Sequence, residues 1–402
     1  MTSVRDPNST LFRAPELDDR ELEVLEQIAA LKRSLRFQLH EPRRWSGALR
    51  RMALARNIQG SNSIEGYNAT LDDAAAVAMG EEPMDATRET QLALEGYRSA
   101  MTYVLQLAQE PQLEISEPLI KSLHFMMTSY DLTARPGRWR AGPVFVRDEQ
   151  TGDIVHEGVE VERVPDLMSA LATSMNGDAG DSIVRAAMAH LNLVMIHPFR
   201  DGNGRMARCL QSLVLATDGT LAPVFMSVEE YLGRNTRAYY DVLARVGDGS
   251  WRPERDARPW LRFTLTAHLR QAQILQSRVH ASEKAWGMLE ELARERRLPE
   301  RVVPVLFDAA LGYRVRRGTY LGALKDSSEA VSEQTATRDL KSLVATGLLE
   351  PHGDKRGRHY TASSMLTSLG KGARWMHSPR NLPDPFADGG EQQPSPSNHE
   401  GA

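Results

Sequence analysis

The chain has 402 residues, enough for two or three domains with a sizeable buried core. Its 49 Lys and Arg against 53 Asp and Glu leave a net charge of −4, so no global basic field marks a nucleic-acid or anionic-membrane protein and any such contact must be local. A single cysteine, Cys209, excludes an internal disulfide framework or a cysteine-rich zinc site, and no apolar run reaches about 18 residues, so the chain is expected to be soluble and cytoplasmic, without signal peptide or membrane span.

The first 20 or so residues are polar and poorly patterned and read as a loose leader. Leu22, Leu25, Ile28, Leu31 and Leu35 then repeat at helical spacing, and helical patterning returns over 45–58, after Asp73 and Asp85, and over 117–127. Residues 1–110 are therefore an expected N-terminal helical region. Between 142 and 155, two β-prone runs, the first containing Val144, Phe145 and Val146, flank a polar turn and predict an isolated hairpin. From Asp181 to Ile196 nearly every face is apolar, which a helix tolerates only when surrounded by protein, and His197-Pro198 ends it. A second helix follows from Arg205 to Ala216, and helical segments continue to about Gln276. Beyond Ser282 the helices shorten. One is capped by Ser332 and carries Ala336, Leu340, Leu343 and Val344 on one side, and a small basic hairpin around Gly353 to Gly357 follows it. Helix then hairpin is the order of a winged helix-turn-helix, expected over 278–365, with the preceding core folding without it. Residues 376–402, rich in Pro, Gly, Ser and Gln, are expected to be disordered.

The chemically informative stretch is His197-Pro198-Phe199-Arg200-Asp201-Gly202-Asn203-Gly204-Arg205-Met206-Ala207-Arg208, lying between a buried helix and an amphipathic one. Gly202 and Gly204 allow close backbone approach, so that successive N–H groups and the next helix's positive end can receive a phosphate. Asp201 offers a hard oxygen suited to Mg²⁺, and Arg205 and Arg208, three apart, can grip further phosphate oxygens. His197 is left free to take a proton from an attacking hydroxyl. The alternatives are ordinary turn dipeptides, with His197 merely ending a helix, or a calcium loop. Helical flanks argue against the first and the missing spaced oxygen ligands against the second. Neither a Gly-x-x-x-x-Gly-Lys-[Ser/Thr] loop nor a strand-borne Gly-rich motif is present. Cys209 reads as a packed core thiol.

Residues 197–208 resemble the complete signature of Fic proteins, His-x-Phe-x-[Asp/Glu]-Gly-Asn-Gly-Arg-x-x-Arg. The resemblance implies an all-α Fic core over 111–270 with a β-hairpin flap, transferring AMP from ATP to a Ser, Thr or Tyr hydroxyl of a protein and releasing pyrophosphate. It further implies that His197 is the general base, Phe199 the loop's core anchor and Asp201 the Mg²⁺ ligand. Gly202, Asn203 and Gly204 would form the anion hole, and Arg205 and Arg208 would hold the β and γ phosphates. Val144 to Val146 resemble the family flap, which registers an extended target segment by strand addition. Tyr239 and Tyr240 resemble the pair bordering the adenine pocket, with core packing as the alternative. Upstream, Ser61-Asn62-Ser63-Ile64-Glu65-Gly66 resembles the inhibitory motif [Ser/Thr]-x-x-x-Glu-[Gly/Asn], in which Glu65 would pair with Arg208 and withdraw it from the γ-phosphate. In some relatives that glutamate also positions a water that removes AMP.

The sequence thus predicts an autoinhibited adenylyltransferase. Its rival is a DNA-binding regulator that senses ATP, with Lys341, Lys355, Arg356 and Arg358 as a modest phosphate-contacting patch; a protein-docking role for the winged helix is equally open. The target, the balance of forward and reverse reactions, self-modification and a homodimer are left open by the sequence.

Overall fold

Four helices form the N-terminal region of the computed structural model, which describes residues 11–40, 43–110, 113–147, 151–177, 180–217, 219, 222–324, 330–372 and 382–387. They are α1 (Asp19–His40), α2 (Ser46–Ile64), α3 (Leu71–Ala78) and α4 (Arg88–Leu107). Thr70 and Thr87 start the last two by accepting hydrogen bonds from the amides of Asp73 and Thr90. The central region follows with α5 (Glu117–Thr128), the strands β1 (Phe145–Arg147) and β2 (Ile154–Glu157), then α6 (Val164–Met175), α7 (Ser182–Ile196) and α8 (Asn203–Ala216). Short helices α9 (Pro223–Met226) and α10 (Glu229–Arg234) lead to α11 (Thr236–Gly247) and the long α12 (Arg258–Glu295). The C-terminal unit comprises α13 (Val303–Ala310), α14 (Arg317–Leu324), α15 (Glu333–Ala345), β3 (Leu349–His352), β4 (His359–Ala362) and α16 (Ser364–Gly372).

Helix α7 is the centre, as its apolar run predicts. Asp181 caps it through the Ile183 amide, and Ile183, Ala186, Ala187, Leu193 and Ile196 join the core built with α4, α5, α6 and α8. A polar chain runs through this core. The Tyr239 hydroxyl meets His190 Nε2 at 2.9 Å, His190 Nδ1 meets Gln211 Oε1 at 2.7 Å, and Gln211 Nε2 meets His268 Nε2 at 3.1 Å. Burial pushes both histidines down to about 3, so they are neutral bridging groups. Cys209 is fully buried and burial pushes its thiol up, which makes it inert.

Both strand pairs are two-stranded and antiparallel, with Phe145 opposite Glu157 in the first and Leu349 opposite Ala362 in the second. The turn residues 148–150 and leader residues 1–10 lie outside the described residues. The rest of the leader departs from the expected looseness. Phe12 is buried edge-on against Trp251, and its backbone exchanges two hydrogen bonds with the Asn192 side chain. One apolar side chain with a matching amide orders a segment whose polar composition hides it. Most of the tail expected to be disordered lies outside the described residues, but 382–387 is seated on α1 and α12: Arg20 reaches the Phe386 carbonyl, Arg270 that of Pro383, and Arg262 lies over the Phe386 ring. No described helix is long and apolar enough to cross a membrane.

The expected gap between 270 and 278 falls within the uninterrupted α12. The C-terminal unit does not pack as a separate ball, because its core includes Trp45, Leu49 and Met52 of α2 beside Leu289, Val303, Phe307 and Leu340. Arg51 pairs with Asp308 at 3.2 Å and Arg314 with Asp72 at 2.6 Å. Ending the chain at residue 277 is therefore expected to uncover this shared core and lower the melting temperature by at least about 10 °C, or abolish cooperative unfolding. A truncated chain that melts within two or three degrees of the full one would show that the contacts carry no stability. The neutral pair His190 and His268 gives a second expectation. Their folded values lie below the unfolded value of about 6.5, so the unfolded chain binds more protons and stability falls as pH drops from about 6.5 toward 3. The loss is roughly 1.4 kcal/mol per histidine per pH unit, and urea unfolding at pH 7, 6 and 5 measures it; equal midpoints at all three would refute it.

Candidate functional site

The site is assembled where α7 ends, α8 begins and the last turn of α2 arrives from outside. His197 terminates α7 in the left-handed region, with φ 53° and ψ 58°, a conformation a non-glycine residue holds only when its surroundings impose it. Its own amide donates to Leu193, and Arg140 donates from Nε to the His197 carbonyl at 2.8 Å and from its backbone to Pro198 at 2.9 Å. His197 Nδ1 lies 3.1 Å from the Val194 carbonyl, which can only accept. The proton is therefore on Nδ1 and the lone pair on Nε2. Burial pushes this imidazole down to about 4, helped by His156 and Arg140 and opposed by the Val194 carbonyl and Glu65, so it is neutral at neutral pH.

The loop from 199 to 203 is closed on itself. Phe199 is fully buried, stacked at 3.6 Å and 2° on His124 of α5. Asn203 accepts from the Phe199 amide and donates to the Phe199 carbonyl, both at 2.9 Å. His124 Nδ1 accepts from the Gly137 amide, so its Nε2 carries the hydrogen and donates to the Asp201 carbonyl at 3.0 Å. Gly202, at φ 75°, then turns the chain into α8.

Two arginines on α8 lie under this loop, each 1 % exposed. Arg205 donates to the Tyr130 hydroxyl at 3.0 Å, reaches Asp201 at 3.3 Å and lies 4.9 Å from the Tyr67 ring. Arg208 donates from Nε to the Ser61 hydroxyl at 2.8 Å, and from Nη2 to the Ser61 carbonyl at 2.9 Å and to Glu65 Oε1 at 2.6 Å. Burial acts most strongly on Arg208 and against its charge, but the Glu65 carboxylate together with Tyr239 and Tyr97 outweighs it and keeps the guanidinium charged. Arg208 Nη1 and Arg205 Nε have no hydrogen-bond partner among the described residues. Glu65 sits just past α2, which Gly66 stops with φ 81°. Its carboxylate lies against Gly204, where a Cβ would fall 2.2 Å from Oε1, so a side chain at 204 would displace the carboxylate from this position. Asp201 is half exposed at the mouth and stands apart from other ligating groups; among the described residues no cluster of three metal-ligating side chains exists.

Of the two tyrosines, Tyr239 is buried in the polar chain described above, whereas Tyr240 is half exposed and donates to the Ile64 carbonyl at 3.1 Å. The hairpin stands beside His197. Gly158 donates to Val144, Glu157 to Gly249, and His156 Nε2 lies 2.9 Å from the Met195 carbonyl. Phe145 is exposed and Val144 and Val146 are half-buried. The structure thus gathers Asp201 to Arg208, Ser61 and Glu65 around the start of α8, with His197 close enough to feel the Glu65 charge. It adds His124, Tyr130 and Arg140, which sequence reasoning missed. His124 alone left a signal, a polar residue on the buried stripe of α5 with Ile120, Leu123 and Met127.

Residues 114–215, from the start of α5 to α8, match the sequence model of the Fic/DOC family. The Protein adenylyltransferase Fic of Nematostella vectensis is 28% identical over 214 residues, covering 52% of this chain and 46% of that protein. The Protein adenylyltransferase Fic of Drosophila melanogaster is 28% identical over 252 residues, covering 61% and 46%. Protein adenylyltransferase fic-1 of Caenorhabditis elegans is 42% identical over a shorter 83 residues, 21% of this chain and 14% of that one. The chain thus spans less than half the length of these curated relatives. Among solved structures, a Fic family protein from Desulfovibrio desulfuricans G20 superposes with a TM-score of 0.56 at 22% identity, over 88% of this chain and 99% of that one. Fic-1 from C. elegans gives 0.51 at 23%, over 63% and 71%. These structural likenesses speak to the fold alone, and the segment 114–215, which contains the loop, is the part of the chain that matches the Fic/DOC family.

Proposed function

We propose that the protein transfers AMP from ATP to a hydroxyl of a protein target and that the described conformation is its restrained state. The observation that carries this reading is the Arg208 guanidinium, buried, charged, bound to Ser61 and Glu65, and with Nη1 unpartnered beside the Gly204 backbone. A buried cation with a spare donor at a helix N-terminus suits an anionic guest, and Arg205 Nε adds a second such donor. The target hydroxyl would attack the α-phosphorus while His197 Nε2 takes its proton. An oxygen–phosphorus bond forms to the hydroxyl, the bond from the α-phosphorus to the bridging oxygen breaks, and pyrophosphate leaves. Asp201, one exposed carboxylate near Arg205, suits Mg²⁺ that takes most ligands from phosphate and water; such an ion would neutralise charge on the phosphates. The free edge of β1 would receive the target as an added strand, with exposed Phe145 beside it.

In this reading Glu65 competes with the γ-phosphate for Arg208. The pair is partly buried, Arg208 at 1 % and Glu65 at 24 % side-chain exposure, so it resists screening. A second reading, a DNA-binding regulator that senses ATP, draws on a local charge excess. Residues 296–372 carry 13 Lys and Arg against 8 Asp and Glu, although the chain as a whole is acidic. Arg338 and Lys341 are exposed on α15 and Lys355 on the hairpin turn, while the Arg356 side chain lies outside the described residues. Labelled ATP separates the readings. Covalent label on protein supports transfer, and a DNA mobility shift without label supports the regulator.

Glu65→Gly is expected to raise AMP transfer strongly, seen as self-modification with Mg·ATP. Lifting about 3 kcal/mol of restraint raises the competent population by roughly two orders of magnitude. Any removal of AMP should be lost with it. An unchanged rate in a folded, ATP-binding variant would mean that the Glu65 contact restrains nothing. His197→Ala is expected to lower transfer by at least about 100-fold while ATP affinity stays within a few-fold, since the imidazole meets the hydroxyl and not the phosphates. Retention of more than about a tenth of the rate would remove His197 from that role. Asp201→Ala should instead erase the Mg²⁺ dependence of ATP binding in calorimetry.

A further inference from the structure

Arg140 lies between α5 and the hairpin, 5 % exposed, and no described carboxylate is in ion-pair contact with it. Every group its guanidinium meets is a backbone carbonyl. Nε donates to His197 at 2.8 Å, Nη1 to Gly142 at 2.8 Å, and Nη2 to Val159, while the Arg140 amide donates to Pro198. Gly142 precedes the hairpin, Val159 follows it, and His197 is the left-handed end of α7. One planar group therefore spans both ends of the hairpin and the backbone of the imidazole. The same three segments also touch directly. A Cβ on Gly158 would lie 2.7 Å from Val144 Cγ1, 3.1 Å from Arg140 Nη2 and 3.2 Å from His197 Cβ. Burying an arginine with no carboxylate in contact is costly, and burial pushes Arg140 down although the more distant Glu162 carboxylate acts the other way. A cost of that kind persists where rigidity of fixed donors is returned for it, and the planar fork supplies that geometry where a lysine's single nitrogen cannot.

We propose that Arg140 is a positioning residue that braces the hairpin against the left-handed turn at His197, fixing the imidazole and the target-registering strand in one frame. This rests on the transfer reading above. It predicts that Arg140 governs the rate of the bound complex and not the grip on nucleotide, because none of its three acceptors belongs to the phosphate-facing groups.

The experiment uses the full chain in the Glu65→Gly background, where transfer is measured free of restraint. Arg140→Lys and Arg140→Gln should each lower kcat by about 100-fold, the scale expected for an ångström of misplacement, with ATP Kd within about threefold. Losses in kcat that merely match a loss of folded, ATP-binding protein would overturn the proposal, as would an Arg140→Lys variant keeping more than half of the parent kcat. Gly158→Ala guards against misfolding of the arginine variants, since its methyl presses on Val144 and His197 without removing a charge. It too should lower kcat at unchanged ATP affinity, and a parent-like kcat would count against the brace. If the Glu65→Gly parent transfers no AMP, the transfer reading fails by itself. The brace is then read from amide hydrogen exchange at His197 and Gly158, which should quicken at least about tenfold in Arg140→Gln, and unchanged exchange would refute it.

Discussion

A buried guanidinium that must stay charged is the constraint around which the site is arranged. Arg208 has left water almost completely, and such a charge is tolerated only when donors are matched by acceptors. Two acceptors come from Ser61 and one from Glu65, both at the end of α2, so a helix far off in sequence has to arrive at the start of α8. That arrival sets the rest. It places the carboxylate where a side chain at 204 would lie, and α2 stops at Gly66, in the left-handed region, just past Glu65. Among the described residues Nη1 has no acceptor, and in the transfer reading it is the donor that would meet the guest.

The loop above Arg208 solves a different difficulty. A chain leaving one buried helix and entering another must expose backbone N–H groups to a guest without letting water or its own carbonyls satisfy them first. Asn203 ties off both backbone groups of Phe199, and His124, a neutral donor by burial, ties off the carbonyl of Asp201. The aromatic stack of Phe199 on His124 then fixes the loop to α5. The Asp201 carboxylate, by contrast, remains half exposed beside Arg205.

Much of this was legible from the chain because it depends on local order. The apolar run from Ile183 to Ile196 could only be a surrounded helix, and the twelve residues after it carry their own turn chemistry and charge spacing. Ser61 and Glu65 were legible as a spacing of types but not as a contact, since a hydroxyl and a carboxylate four apart are common at helix ends. Arg140, Tyr130 and Tyr67 left no trace, because each acts through tertiary approach between segments without shared periodicity. The seating of the described parts of the leader and the tail, 11–17 and 382–387, was not legible for a related reason. Phe12, buried, and Phe386, partly buried, are single aromatic anchors in polar stretches, and composition averages them away although one packed ring is enough to seat a strap. The uninterrupted α12 was hidden likewise, since no glycine or proline marks where one unit gives way to the next.

Release of Arg208 is not a matter of one side chain. Swinging Glu65 away breaks one of its three contacts, but the other two belong to Ser61, whose carbonyl is part of the α2 backbone. Complete release therefore requires α2 to move, and α2 is held along its length by groups outside the Fic/DOC segment. Arg56 joins Glu230, which Arg278 of α12 grips with both nitrogens at 2.6 and 2.7 Å; Arg51 pairs with Asp308 of α13; Trp45, Leu49 and Met52 lie in the C-terminal core. Helices in close-packed cores shift between discrete arrangements instead of stretching, so the free energy of moving the Ser61 end contains the cost of repacking the Trp45 end. The strength with which Arg208 is held is thus set jointly by a short ion pair and by the seating of the C-terminal unit on the same helix.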